Sequence, residues 1–128
     1  MIRYTLPALA LGLSSLSMGP MASALTPQEA RACNTMGASL QVRQKKAQNE
    51  KIALEALAIN VEDAGDAWEG DEAMRAFSTA AAQKADASKQ AYDTLVAELD
   101  RRQRALQSEV VSINSGVMSY NRRCVTGE

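Results

Sequence analysis

Cys33 and Cys124 are the two residues whose chemistry is most constrained, since they are the only cysteines in the chain. An even pair in a sequence that begins like an exported protein is most simply one disulfide. That bridge would close a loop of about 90 residues, which the chain-entropy model values at ~4–5 kcal/mol before strain. The alternatives are a bridge between two chains or two reduced thiols. Joined as a disulfide, neither sulfur is free as a nucleophile, and no CxxC redox pair is present. There is no histidine, which removes the commonest general base and the commonest metal ligand together. No serine or lysine stands at a spacing that marks an activated nucleophile, and no glycine-rich phosphate loop occurs. The expectation is therefore no catalytic residue, no metal ligand and no cofactor, in a protein that is not an enzyme.

The second concentration of chemistry is acidic. Glu62, Asp63, Asp66, Glu69, Asp71 and Glu72 crowd around Trp68, between and beside Gly65 and Gly70. Their spacing does not match an EF-hand loop, whose ligands fall on alternate residues before a glycine. One reading is a solvated turn whose acids favour the start of the next helix. The other makes these six acids and Trp68 a partner-binding surface, with the indole as a contact residue. Arg101, Arg102 and Arg104 form a small basic cluster, with Arg43, Lys45 and Lys46 earlier in the chain. These are either ordinary solvated helix faces with i,i+4 pairs or the positive pole of a charge-polarised hairpin that steers a partner. The net charge of −1 gives no reason to expect a nucleic-acid ligand.

The elements that must position these residues read as helices. Aromatics make up only 4% of the chain, while Ala, Gln, Glu, Lys, Arg and Leu dominate, which argues against a sandwich or barrel. Tyr92, Leu99, Leu106, Ile113 and Tyr120 fall seven apart, and Val96, Gln103, Val110, Val117 and Cys124 repeat four positions later. This is the 4-3 spacing of a long helix with one narrow apolar seam. Cys33, Leu40, Ala47, Leu54, Val61 and Trp68 form a weaker seam, with Met36, Leu57 and Ala64 in some alternate positions and Arg43 and Glu50 interrupting it. Thr26-Pro27-Gln28-Glu29 reads as a capped helix start, with Glu29 completing a capping box. Tyr92 and Tyr120 are expected in the core.

Two signals place the turn differently. Gly65 and Gly70 put it near Trp68, because glycine is a poor interior helix residue. A Cys33–Cys124 bridge in an antiparallel hairpin puts it near Ser78-Thr79. Both are satisfied if the long helices are Pro27–Ala64 and Ala87–Arg122, with Asp71 capping a short third helix that runs to about Ala85. Leu40 then meets Val117, Ala47 meets Val110, Leu57 lies near Leu99, Val61 meets Val96, and Glu55 lies opposite Arg102. The remaining alternative is a first helix that runs through the glycines to Phe77. The expected fold is all-α: a long, coiled-coil-like antiparallel helical hairpin with a short extra helix near the tip and a disulfide at the open end.

The N-terminus carries Arg3, an apolar run from Leu6 to Leu16 and the small-residue site Ala22-Ser23-Ala24. This is the layout of a secretory signal peptide over residues 1–24, cleaved after Ala24, leaving one domain over 25–128 with no membrane span. The expected location is the periplasm, or alternatively outside the cell. Leu25-Thr26-Pro27-Gln28 is similar to the Leu-Thr-x-x-Gln element of small helical periplasmic chaperones over four residues, with its glutamine one place early. That resemblance implies a chaperone for unfolded clients, for which Leu95, Met74 and Phe77 are the apolar residues to examine. The principal expectation is a non-enzymatic interaction protein, an envelope adaptor or structural accessory with one protein partner, and a homo-oligomer is an open option. A further alternative is a toxin inhibitor or immunity protein acting through its acidic tip.

Overall fold

A computed structural model describes residues 25–126. The signal-peptide layout of residues 1–24 lies outside the described residues, as do Gly127 and Glu128. The described chain is two long helices that pack against each other as a hairpin, with no strand among the described residues. Helix α1 runs over Pro27–Ala73 and helix α2 over Thr79–Tyr120. A single 3-10 turn, Arg75–Phe77, joins them, and a π-helical turn, Asn121–Val125, extends α2.

The ends of these helices follow from local chemistry. At the start of α1, Thr26 N–H donates to Glu29 Oε2 at 2.7 Å, and Glu29 N–H donates to Thr26 Oγ1 at 3.2 Å. That is the reciprocal capping box the sequence signals. α1 does not stop at Gly65 or Gly70 but continues through both to Ala73. The 3-10 turn closes on hydrogen bonds from Met74 N–H to Asp71 O and from Phe77 N–H to Met74 O. Ser78 is extended, at φ −166°, and its Oγ accepts from Ala81 N–H at 3.0 Å, so Ser78 is the cap of α2. The extra element expected over Asp71 to about Ala85 is thus limited to Arg75–Phe77. The turn falls where the disulfide geometry placed it rather than at the glycines.

The chain forms two compact units, and α1 and α2 contribute to both. The first contains α1 up to Lys45 and the chain from Glu109 onward. It holds the Cys33–Cys124 disulfide, with a Cα–Cα distance of 5.7 Å and both cysteines buried. Leu40, Ile113, Val117 and Tyr120 complete its core. Two glycines make close approach possible there. A Cβ on Gly37 would sit 3.2 Å from the Tyr120 ring, and one on Gly116 would sit 2.7 Å from Leu40 Cδ2. Arg43 forks onto Glu109 at 2.8 and 3.1 Å and also donates to Ser112.

The second unit is Lys46–Ser108 and contains the turn. Ala47, Leu54, Leu57, Ala58, Val61, Ala85 and Leu106 are its buried residues. Gly65 is again a packing site, since a Cβ there would lie 3.2 Å from the Tyr92 ring. This explains why α1 tolerates it. The helix-propensity cost of glycine, roughly 1 kcal/mol, is offset by burying an aromatic ring against bare backbone. Gly70 has nothing within 4 Å, and nothing in the structure explains a glycine there. Arg102 pairs bidentately with Glu50, at 2.7 and 2.9 Å, and not with Glu55, whose partner is Lys51 at 4.0 Å. The expected Glu55–Arg102 pair is therefore replaced. Glu50, one of the residues that interrupts the apolar seam, is close enough to α2 for a fork-to-fork pair.

Candidate functional site

The seven residues singled out around the acidic segment all lie on α1, within the turn unit, but they do different things. Asp71 does not cap a helix. Its carboxylate accepts from Lys84 Nζ at 2.8 Å and from Ser88 Oγ, and its side chain is only 16% exposed. The Lys84 ammonium first, and the Ser88 hydroxyl second, hold its pKa below the usual carboxylate range. Glu72 accepts from Arg75 at 2.9 Å, and that guanidinium is the main reason its pKa is also lowered. Arg75 reaches on to Asp86 at 2.7 Å. With carboxylates on both sides, its own pKa is raised. These pairs fasten the 3-10 turn to the start of α2.

Trp68 is half-buried rather than fully displayed. Its ring stacks on Tyr92 with centroids 5.5 Å apart, and Lys89 Nζ lies 5.4 Å from the indole centroid. This is a stacked pair with a cation on the indole, which anchors α2 to α1 near the turn. The indole Nε1–H is closed to solvent and makes no hydrogen bond, although the indole is the smallest contributor to lowering the Glu72 pKa.

The remaining four acids form a different group. Glu62, Asp63, Asp66 and Glu69 are exposed and make no hydrogen bond or ion pair. Glu62, Asp66 and Glu69 follow i, i+4, i+7 spacing and so lie along one strip of α1. They are strung along the helix rather than gathered round a point. Among the described residues no group of three or more acids, cysteines or histidines is placed to hold a metal ion. Beyond them the turn exposes Phe77, the only phenylalanine in the chain, at 76%, and Met74 is also exposed. Leu95 is half-buried on α2 and borders a shallow depression with Asp93, Thr94, Ala97, Glu98 and Arg101.

The basic cluster is largely neutralised where it stands. Arg101 pairs with Glu98 and Arg104 with Asp100 along α2, and Arg102 crosses to Glu50, whose pKa it lowers. In the disulfide unit Arg43 is held by Glu109, which raises the arginine pKa. Lys45, by contrast, makes no ion pair. Sequence reasoning noted Arg43 and Glu50 as interruptions of the seam but missed both crossing pairs. The available signal was an arginine or glutamate at a seam position with an opposite charge on the facing helix.

Among the described residues no helix is long and apolar enough to cross a membrane. Compared with models of known protein families, with curated proteins and with solved structures, the chain matches none.

Proposed function

We propose that this chain is an exported, non-enzymatic interaction protein that binds one protein partner through the turn and the acidic strip of α1. The observation that carries the reading is Phe77, 76% exposed on the turn, with Met74 also exposed before it and, further back along α1, the exposed acids Glu62, Asp66 and Glu69 without internal partners. An exposed large aromatic suits the anchor of a contact surface, and unpaired charge on the same element can set orientation and encounter rate. The complementary partner would offer an apolar pocket edged by basic residues. An adaptor and an inhibitor of a single toxin are both forms of this reading, and the partner's identity separates them. Export is supported by the N-terminal layout and is compatible with the disulfide, which forms and persists in oxidising compartments.

The test is cross-linking in intact cells followed by affinity capture and mass spectrometry, with the natural chain and Phe77→Asp compared. Phe77 is exposed, so the substitution leaves the helical content measured by circular dichroism unchanged. One partner recovered near one-to-one, and lost with Phe77→Asp, supports the reading. A broad set of clients that Phe77→Asp does not reduce overturns it in favour of a chaperone.

A further inference from the structure

One outward stripe of α1, wholly within the turn unit, is complementary to itself when read in reverse. Gln48, Ile52, Ala56, Ile59 and Asp63 are all exposed, the isoleucines at 64% and 59%. At about 100° of rotation per residue they share one side of the helix. Leu54, Leu57, Ala58 and Val61, which are buried, lie on the other side. Ile52 and Ile59 stand symmetrically about the point between Glu55 and Ala56, and so do Gln48 and Asp63 beyond them.

We propose that this stripe pairs with the same stripe of a second copy of the chain, in an antiparallel two-fold dimer. A single patch serves both copies, as an isologous contact requires. With the axis between Glu55 and Ala56, Ile52 of each copy meets Ile59 of the other, and the two Ala56 side chains meet at the centre. Each exposed isoleucine is then covered by another. The small alanine between them lets the two helices approach closely.

The polar residues select the same direction. Laid antiparallel, Asp63 falls opposite Gln48, and Glu62 opposite Asn49. Amide N–H groups then meet carboxylates that have no partner within their own chain. Laid parallel in register, Glu62, Asp63 and Asp66 each meet their own copy and repel it. Glu55 stands beside the two-fold axis, where Lys51, 4.0 Å away on its own helix, offsets its charge. The seam is short, and the turn unit carries more carboxylates than cations, so the dimer is a weak and reversible one. Met74 and Phe77 are not part of the stripe, so the dimer does not rest on the partner proposed above.

The experiment is sedimentation of the purified protein alone, from about 1 μM to about 1 mM, a span that covers weak association, followed by oxidative cross-linking of variants with one added cysteine. The two native cysteines are joined to each other, so an added thiol finds no partner in its own chain. The expected result is a concentration-dependent monomer–dimer equilibrium. Ile52→Asp and Ile59→Asp should each weaken it about tenfold or more, because each removes an apolar contact that is made twice. Both side chains are exposed, so the variants keep their helical content. Ala56→Cys should form a covalent dimer by itself. Gln48→Cys and Asp63→Cys should cross-link when mixed and little when alone. A monomer throughout the range, an open ladder of oligomers, or a dimer indifferent to either isoleucine change would each overturn the proposal. So would Ala56→Cys that stays monomeric, or Asp63→Cys that joins itself as readily as it joins Gln48→Cys. None of these results bears on capture of a partner through Phe77.

Discussion

The two units solve the same packing problem with different means. Each seats a tyrosine of α2 against a glycine of α1, Tyr120 on Gly37 in one and Tyr92 on Gly65 in the other. Each also has one bidentate Arg–Glu pair crossing between the helices, with the arginine on α1 in the disulfide unit and on α2 in the turn unit. There the likeness ends. In the disulfide unit the tyrosine is buried and a covalent bridge sits beside it. In the turn unit the tyrosine is half-buried and Trp68, Lys89 and a set of ion pairs take the place of the bridge. A covalent bond needs no solvent exposure and tolerates acid, whereas exposed ion pairs are weak and titrate. The disulfide unit is thus built to persist, and the turn unit holds its shape with groups that also face solvent.

The largest effect that separates the units is loss of the bridge. Replacing both Cys33 and Cys124 by serine should cost ~4–5 kcal/mol by the chain-entropy model for a span of 91 residues, read from urea unfolding. A loss below about 1 kcal/mol would mean that apolar packing, not the bridge, secures that unit. Next come the tyrosines. Tyr120→Ala should cost about 3 kcal/mol or more, the usual loss for a buried aromatic, and Tyr92→Ala clearly less because its ring is partly solvated already. Equal losses would erase the contrast.

The glycines sharpen the comparison at smaller scale. Gly70→Ala should stabilise by roughly 0.5–1 kcal/mol, since it removes glycine's helix penalty and meets nothing. Gly65→Ala should recover little of that gain, because its Cβ meets the Tyr92 ring at 3.2 Å. Gly37→Ala should be the worst of the three, since the ring it meets is buried and cannot give. Stability curves in urea would rank them directly, and Gly37→Ala ranking above Gly70→Ala would refute the packing account.

Acid should weaken the turn unit more than the disulfide unit, where the Thr26 backbone N–H first and its hydroxyl second hold the Glu29 pKa low but the bridge itself does not titrate. Arg102 holds Glu50, Lys84 holds Asp71 and Arg75 holds Glu72, each below the usual carboxylate pKa. A carboxylate with a lowered folded-state pKa adds stability that is fully present above its unfolded pKa and is lost as pH falls through the folded value. Stability should therefore hold near neutral pH and decline as pH drops below the ordinary carboxylate range, about pH 4. Hydrogen exchange should show the amides around the 3-10 turn opening before those flanking the disulfide; the reverse order would break the distinction. The smallest effect belongs to single surface pairs. Lys51→Ala and Arg101→Ala should each change stability by under about 0.5 kcal/mol.

Much of this architecture was legible in the residues, and for a physical reason: heptad spacing, capping and cysteine pairing are local or pairwise signals. The Thr26–Glu29 capping box and the Cys33–Cys124 bridge are present as read. Of the seam from Tyr92 to Cys124, Leu106, Ile113, Val117, Tyr120 and Cys124 are buried, while Tyr92, expected in the core, and the other members are half-buried. Arithmetic from the bridge also put the turn at Ser78-Thr79, where Ser78 caps α2. The candidate site was legible only in part. Glu62, Asp63, Asp66 and Glu69 are the exposed acids expected, but the engagement of Asp71 by Lys84 and Ser88 depends on residues well beyond it in sequence.

What tertiary structure alone decided is where a local preference yields to packing. Gly65 reads as a helix breaker because an isolated helix gains nothing from a missing side chain. It is helical here because Tyr92 occupies that space. Glu50 reads as a flaw in an apolar seam because periodicity counts hydrophobic residues and not cross-helix partners. It is a seam residue here because Arg102 arrives at hydrogen-bond distance. Spacing along a helix specifies which residues share a face; only the facing helix determines whether a gap in that face is filled by a ring or a charge by its counterion.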